Sequence, residues 1–191
     1  DYGDIMQKII ELQSKKENDK FWSIRTIEDE YLYLNEFHRK MCEYLKHPYD
    51  DELITKLSEC RIKADFVIND GVVETLKILK SKYKLSILSN ALPSRRHHEL
   101  LMENIHEYFD PILISFEIGV HKPDKKIFEY AIEQSPFDAS EIALVDDNIK
   151  NLQVAREAGF GKCILFSKNE SGEFLSTTDF KELLILIEKD L

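Results

Sequence analysis

The chain has 191 residues, of which 43% are hydrophobic and 32% are charged, and its formal net charge is -10. A chain of this length can form one core, or a core with a small lid, but not several large domains. The acidic balance argues against nonspecific binding to nucleic acid or to an anionic membrane, because both require a basic surface, although a local cation or metal can still hold an anionic substrate in one cleft.

The first third of the chain, residues 4–60, shows helical periodicity throughout. One amphipathic segment reads DIMQKIIELQSKK, and a longer one reads TIEDEYLYLNEFHRKMCEYLKHP. At the start of the longer segment, Thr26 and Asp29 resemble a capping box, and Pro48 follows its end. The sequence therefore predicts an all-helical domain over residues 1–66.

From Asp70 onward, short apolar strands alternate with helices of about a dozen residues. The predicted strands are KLSIL, PILIS, EIALV and KCILF, and the predicted helices are GVVETLKILKSKY, PSRRHHELLMENI, PDKKIFEYAIEQS, NIKNLQVAREAG and TTDFKELLILIEKDL. This alternation is typical of a doubly wound parallel sheet with helices on its faces. We therefore predict an α/β domain over residues 67–191.

Polar side chains follow three of the predicted strands. Ser89 and Asn90 end the first, Lys122 follows the second after a short loop, and Asp146 and Asp147 end the third. In parallel sheets, ligands bind beyond the carboxyl ends of the strands. We therefore expect these five residues to form a site.

The adjacent acids Asp146 and Asp147 need an explanation. Two ionised carboxylates about 5 Å apart repel by roughly 3 kcal/mol at an effective dielectric of 20, and a helix start offsets about 0.3–1 kcal/mol of that. A magnesium ion would remove the conflict, because it binds one or two carboxylates together with substrate phosphate. The alternative is that one acid caps the helix that begins near Asn148, although Asn148 could do this itself.

Each of the other residues also has an alternative role. Ser89 and Asn90 are common turn formers, but a hydroxyl and backbone N–H groups at a helix start also suit phosphoryl oxygens. Lys122 could be a solvated loop lysine, yet Pro123 fixes the start of the next helix and gives the lysine a defined exit from the loop.

Three segments together resemble known motifs. YKLSILSNA, SFEIGVHKPDKKIFEYAI and EIALVDDNIKNLQVAREAG resemble the second, third and fourth motifs of the haloacid dehalogenase superfamily, over about residues 70–166. The helical residues 4–60 resemble the cap that many members insert between the first and second motifs. The resemblance implies a Rossmann-like core, and it makes Asn151 a buried hydrogen-bonding support.

The resemblance also implies roles for the five strand-end residues. Ser89, with the Asn90 backbone, would bind the transferring phosphoryl group, and Lys122 would neutralise charge on it and on the nucleophile. Asp147 would bind Mg²⁺, and Asp146 would bind it directly or through water.

The first motif of the family, a strand that ends in D-x-D or D-x-G and supplies the nucleophilic aspartate, has no match here. Asp1 and Asp4 are three residues apart and lead directly into a helix, and Asp70 is better explained as a helix start. We therefore expect the natural protein to carry about 10–20 further residues before Asp1, enough for a strand and a turn.

The resulting functional prediction is a magnesium-dependent phosphomonoester phosphatase that acts through an aspartyl-phosphate on a small phosphorylated metabolite. The alternatives are a 2-haloacid dehalogenase-type hydrolase and a catalytically inactive binding module. Receiver domains are a poorer match, because their acid pair precedes the Lys-Pro dipeptide in the chain. We expect a monomer or homodimer without nucleic-acid or membrane partners.

The cysteines and the hydropathy suggest a compartment. Cys42, Cys60 and Cys163 are scattered and form no C-x-x-C pair, which suits a reducing environment and gives no zinc signature. No apolar run approaches the roughly 18 residues needed to span a bilayer, and no signal peptide is evident. We therefore expect a cytoplasmic protein.

Overall fold

The computed structural model describes residues 15–63, 68–94, 102–168 and 172–189. Most of the predicted helix DIMQKIIELQSKK, and residues 95–101 of the predicted helix PSRRHHELLMENI, lie outside the described residues. The chain divides into two compact units, which are Asp1–Phe66 with Ala91–Met102, and Val67–Asn90 with Glu103–Leu191.

The first unit is helical over its described residues. Its helices are α1 (Lys15–Trp22), α2 (Ile27–Tyr44) and α3 (Asp51–Ile62). The predicted capping box is confirmed, because the Asp29 amide donates to the Thr26 hydroxyl and the Asp29 carboxylate accepts from the Thr26 amide. Buried apolar residues join α2 to α3, among them Leu34, Cys42, Ile54 and Ile62.

A chain of polar groups also joins α2 to α3. The fully buried Ser58 hydroxyl donates to Asn35 Oδ1 at 2.7 Å, and His38 Nδ1 lies 3.0 Å from the same hydroxyl oxygen. Because the serine proton is used on Asn35, His38 Nδ1 must carry a proton and donate. Burial, helped by the charge of Arg61, lowers the pKa of His38.

The second unit is the α/β part of the chain. Its strands are β1 (Ile87–Ser89), β2 (Ile112–Ile114), β3 (Ala143–Asp146), β4 (Lys162–Phe166) and β5 (Leu175–Thr177). Its α-helices are α4 (Val72–Lys80), α5 (Ser115–Ile118), α6 (Lys125–Glu133), α7 (Ile149–Ala158) and α8 (Phe180–Glu188), and two 3₁₀-helices cover Met102–Tyr108 and Ala139–Glu141.

All the strand pairs are parallel. β1 pairs with β2, and β3, β4 and β5 pair in that order. Among the described residues, no ladder joins β1 to β3. The predicted α/β class with parallel strands is confirmed. The prediction missed β5, and the part of PSRRHHELLMENI that is described after residue 101 forms a 3₁₀-helix where an α-helix was expected.

Helices cover both faces of β4. Ile164 is buried with residues of α4 and α8, while its neighbour Cys163 packs against the cluster of Ile127, Phe128, Ala155 and Phe160. Consecutive strand residues point to opposite faces, so β4 lies between two helical layers, as in a doubly wound fold. Burial raises the pKa of Cys163 to about 11, so this thiol is a packing group.

The turn from α7 to β4 depends on close backbone packing. Gly159 ends α7 with φ at 104°, a left-handed conformation that favours glycine. Two residues later, a Cβ on Gly161 would lie 1.8 Å from the carbonyl oxygen of Ser140. Gly161 is thus required by a close approach of two backbone segments.

No helix in the described segments is both long enough and apolar enough to cross a membrane.

Candidate active site

Two strands of the second unit end in the predicted polar residues. Ser89 is the last residue of β1, and Asn90 follows it. Asp146 is the last residue of β3, and Asp147 follows it in front of α7. Lys122 comes from the loop before α6, a helix whose N-cap is Asp124.

The Asn90 side chain holds the main chain of Lys122. Asn90 Oδ1 accepts from the Lys122 amide at 2.7 Å, and Asn90 Nδ2 donates to the Lys122 carbonyl at 2.8 Å. His121 Nδ1 also lies 3.1 Å from that carbonyl oxygen. Two hydrogen bonds from one amide fix both the position and the orientation of the lysine backbone.

The Lys122 ammonium is paired with Asp146. Lys122 Nζ lies 2.6 Å from Asp146 Oδ2, and the two side chains are only 12% and 4% exposed. At this separation the attraction between two unit charges is about 6 kcal/mol at an effective dielectric of 20, before the cost of removing both groups from water. The structure therefore places the Lys122 ammonium at the carboxyl end of β3.

The other oxygen of Asp146 is held by two donors. Asp146 Oδ1 accepts from the Asn148 amide and from Asn151 Nδ2, each at 2.9 Å. Asn151 is buried, in agreement with its expected supporting role. The start of α7 is capped by the side chain of Asn148, which accepts from the Lys150 amide. The alternative that one of the two acids is the N-cap of this helix is therefore wrong.

Asp147 lies apart from this network. Its side chain is exposed, and no hydrogen bond or ion pair joins it to another described residue. The difference from Asp146 has a geometric cause, because successive side chains at a strand end point to opposite sides. Asp147 instead borders a depression of about 560 Å³, whose other lining residues include Asn148, Gln153 and Ser167.

Ser89 is half-buried at the end of β1, where it pairs with Ile114 of β2. Within the described segments, the Ser89 hydroxyl makes no hydrogen bond, so its proton is available to a ligand. The strand fixes the serine next to Asn90, and Asn90 is bonded to the Lys122 backbone. Ser89 therefore lies at the same strand end as the Lys122 loop.

The acid pair can be tested as a magnesium site by its donors. No three His, Cys, Asp or Glu side chains of the described segments form a metal-binding group. Magnesium needs only one or two carboxylates, together with water and substrate oxygens. Asp147 offers an exposed carboxylate, and Asp146 Oδ2 would be shared with the Lys122 ammonium. The acid pair thus offers one exposed carboxylate, on Asp147, and one carboxylate oxygen already paired with an ammonium, on Asp146.

Sequence reasoning missed one functional feature of the site. Asn90 was expected to act through its backbone, whereas its side chain holds Lys122. An amide side chain directly after a buried strand is the signal that could have suggested this, since such a group must find partners near the sheet edge.

Comparisons with known proteins agree with the motifs. A family model described as haloacid dehalogenase-like hydrolase matches residues 6–159. Pyrimidine 5'-nucleotidase YjjG of Escherichia coli (strain K12) is 34% identical over 97 residues, which is 50% of this chain and 43% of that protein. The (S)-2-haloacid dehalogenase of Pseudomonas sp. (strain YL) is 32% identical over 93 residues, 48% of this chain and 40% of that protein. The matched stretches span less than half the length of either relative.

A solved structure resembles the whole fold. The HAD-hydrolase YfnB from Bacillus subtilis, in a magnesium-bound form, has a TM-score of 0.71 at 17% identity, covering 98% of this chain and 81% of that chain. At this identity the likeness shows the fold alone.

Proposed function

Because the chain belongs to the haloacid dehalogenase-like hydrolases, we propose that it is a magnesium-dependent phosphatase acting on small phosphomonoesters. The observation that carries the proposal is the buried contact between the Lys122 ammonium and the Asp146 carboxylate at the carboxyl end of β3. A cation fixed at a strand end is suited to a transferring phosphoryl group, which brings several negative oxygens into the site.

The residues of this chain would divide the work between binding and orientation. Lys122 would neutralise charge on the phosphoryl oxygens, and Ser89 would donate its hydroxyl proton to one of them. The Asn90 side chain would keep Lys122 in place by bonding to the lysine backbone, and Asn151 would orient Asp146.

Magnesium would be held by Asp147, with Asp146 binding directly or through water. When bound, the ion supplies positive charge to the oxygens of the phosphate ester. The attacking aspartate of the proposed aspartyl-phosphate route is assigned to no residue of this chain.

The helical unit would act as a cap that selects the substrate. In this unit the Phe21 ring contacts those of Trp22 and Tyr33 edge to face, which offers an amphipathic surface to a small metabolite. Arg25 is a poor candidate for a phosphate ligand, because its guanidinium donates to the carbonyls of Trp22 and Ile24. We further propose that the protein works in the cytoplasm as a monomer or homodimer.

The test is hydrolysis of p-nitrophenyl phosphate by the full-length protein, with magnesium or with a chelator. Lys122→Ala and Asp147→Asn should each lower kcat/KM by about 10²-fold or more. The matched controls are Lys125→Ala and Glu157→Gln, which remove charges from exposed helix positions and should stay within about twofold of the unaltered protein. Unchanged rates in Lys122→Ala and Asp147→Asn, or turnover that ignores magnesium, would remove the assignment.

A second candidate is hydrolysis of a 2-haloacid, which the similarity to the Pseudomonas dehalogenase favours. This reaction releases halide from a carboxylate substrate and has no need of the Asp146–Asp147 pair as metal ligands. Chloride release from 2-chloropropionate in the presence of a chelator, without turnover of p-nitrophenyl phosphate, would favour it. Phosphate binding without turnover of either substrate would indicate a binding module.

A further inference from the structure

A buried acid in the helical unit bonds twice to one serine. Glu30, in the first turn of α2, is 3% exposed. Its Oε2 accepts from the amide of Ser94 at 2.9 Å, and its Oε1 accepts from the Ser94 hydroxyl at 2.6 Å. Ser94 is 2% exposed and belongs to the same compact unit as Glu30.

The Glu30–Ser94 contact requires a carboxylate to be removed from water. A carboxylate removed from water is stable only when it is paired or hydrogen-bonded, and no Lys or Arg among the described residues forms an ion pair with Glu30. The two donors come from different atoms of one serine, so they fix both its position and its orientation. A side chain used only for packing would be apolar at this depth.

The chain then connects this serine to the candidate active site. Ser94 comes four residues after Asn90, whose side chain holds the Lys122 backbone. Between them, Ala91 and Pro93 are buried, and proline has a fixed φ. Four residues span at most about 14 Å, so a displacement of Ser94 is passed along a short and constrained segment.

We propose that Glu30 is a positioning residue that acts through Ser94 on Asn90 at the end of β1, and so on the backbone of Lys122. The inference rests on the proposed function for its catalytic consequence, since Ser89 and Lys122 are the phosphate-binding groups named there and Asn90 holds Lys122. The structural part of the inference can be tested without enzymatic activity, because the Lys122 amide donates to Asn90 Oδ1 and its hydrogen exchange can be measured.

Hydrogen exchange of the Lys122 amide is the direct readout, measured against the Leu183 amide of the same unit, which donates to the carbonyl of Asp179, the N-cap of α8. Glu30→Ala removes both bonds to Ser94 and should speed exchange of the Lys122 amide about tenfold relative to that of Leu183. Glu30→Gln keeps the shape and can keep both bonds, because the serine hydroxyl can turn to accept, so it should stay within about twofold. Glu28→Ala removes an exposed acid from the same helical turn and is the matched control.

Kinetics on p-nitrophenyl phosphate with magnesium give the second readout. Glu30→Ala should lower kcat/KM about tenfold, mainly through a higher KM, and Glu30→Gln should restore it. If Glu30→Ala does not fold, Ser94→Ala, which removes only the hydroxyl bond, should move exchange and KM in the same direction to a smaller extent.

The proposal is overturned if Glu30→Ala leaves the ratio of the exchange rates of the Lys122 and Leu183 amides unchanged, because Glu30 would then stabilise only its own unit. It is also overturned if Glu30→Gln behaves as Glu30→Ala, because the charge would then matter in place of the geometry. A protein without magnesium-dependent turnover would refute the phosphatase proposal, while the exchange comparison would still decide the role of Glu30.

Discussion

Replacing Lys122 by methionine tests whether the buried ion pair organises the site. Met fills a similar volume but leaves the Asp146 carboxylate, whose side chain is 4% exposed, without its cation. Breaking a buried pair by removing one partner costs about 3–5 kcal/mol, since the remaining charge stays desolvated. The two N–H donors on Asp146 Oδ1 remain, so we expect the lower part of this range.

The measurement is urea unfolding followed by far-UV circular dichroism. The single tryptophan, Trp22, lies in the helical unit and would report on the wrong part of the chain. Lys125→Met is the matched control, because the Lys125 side chain is half exposed and its Nζ lies 3.6 Å from Oε1 of Glu129, one helical turn away. Loss of such a surface pair should cost no more than about 0.5 kcal/mol.

A double variant isolates the pairing. Lys122→Met with Asp146→Asn removes both charges and keeps an oxygen for the donors on Asp146, so it should recover about 2–3 kcal/mol relative to the sum of the single changes. A cost for Lys122→Met below about 1 kcal/mol, or equal to that of Lys125→Met, would refute the reasoning.

Three further outcomes follow from features away from this pair. Burial lowers the pKa of His38 in the folded protein. The stabilisation from the neutral imidazole is therefore complete above about pH 6.5 and is lost as pH falls through the lowered pKa. His38→Gln should flatten the dependence of the free energy of unfolding on pH between about pH 7 and pH 5. Gly161→Ala should cost about 3 kcal/mol or more, or abolish folding, because the added carbon meets the Ser140 carbonyl; a change below about 1 kcal/mol in thermal unfolding would contradict the close approach. Lys162→Met should cost about 1–2 kcal/mol in the same assay, since the ammonium donates to the last carbonyls of α8, including that of Ile187; an unchanged melting temperature would argue against this helix cap.

The local signals of the sequence predicted much of the fold. Helix α7 begins at an asparagine cap and ends at Gly159, and both limits follow from side-chain chemistry that acts within a few residues. Strand β4 coincides with the predicted segment KCILF. After Lys162 its residues are apolar on both faces, because both faces are covered by helices, and such strands are easy to recognise.

Strand β5 shows why the rest could not be predicted. Leu175–Thr177 has three residues, and two of them are polar. It is a strand because it pairs with β4, through contacts such as Phe166 with Thr177. Pairing of this kind depends on tertiary structure, which outweighs the weak preferences of so short a segment.

The sequence proposed the members of the candidate site but not the contacts between them. Residue types and strand ends grouped Lys122 with Asp146 and Asp147, but they could not show which acid meets the lysine. Atomic geometry decides that, since Asp146 is buried against the ammonium and Asp147 is exposed. The Asn90 side-chain contact is likewise a long-range bond, between residues 32 positions apart.

The two-faced packing of β4 limits where this chain can gain or lose a residue. Asp146 stands opposite Leu165 of β4. Deleting or inserting one residue in the tight turn before β4 would exchange the environments of Cys163 and Ile164, and it would also change the neighbour of the aspartate. Length variation among natural homologues should therefore avoid this turn.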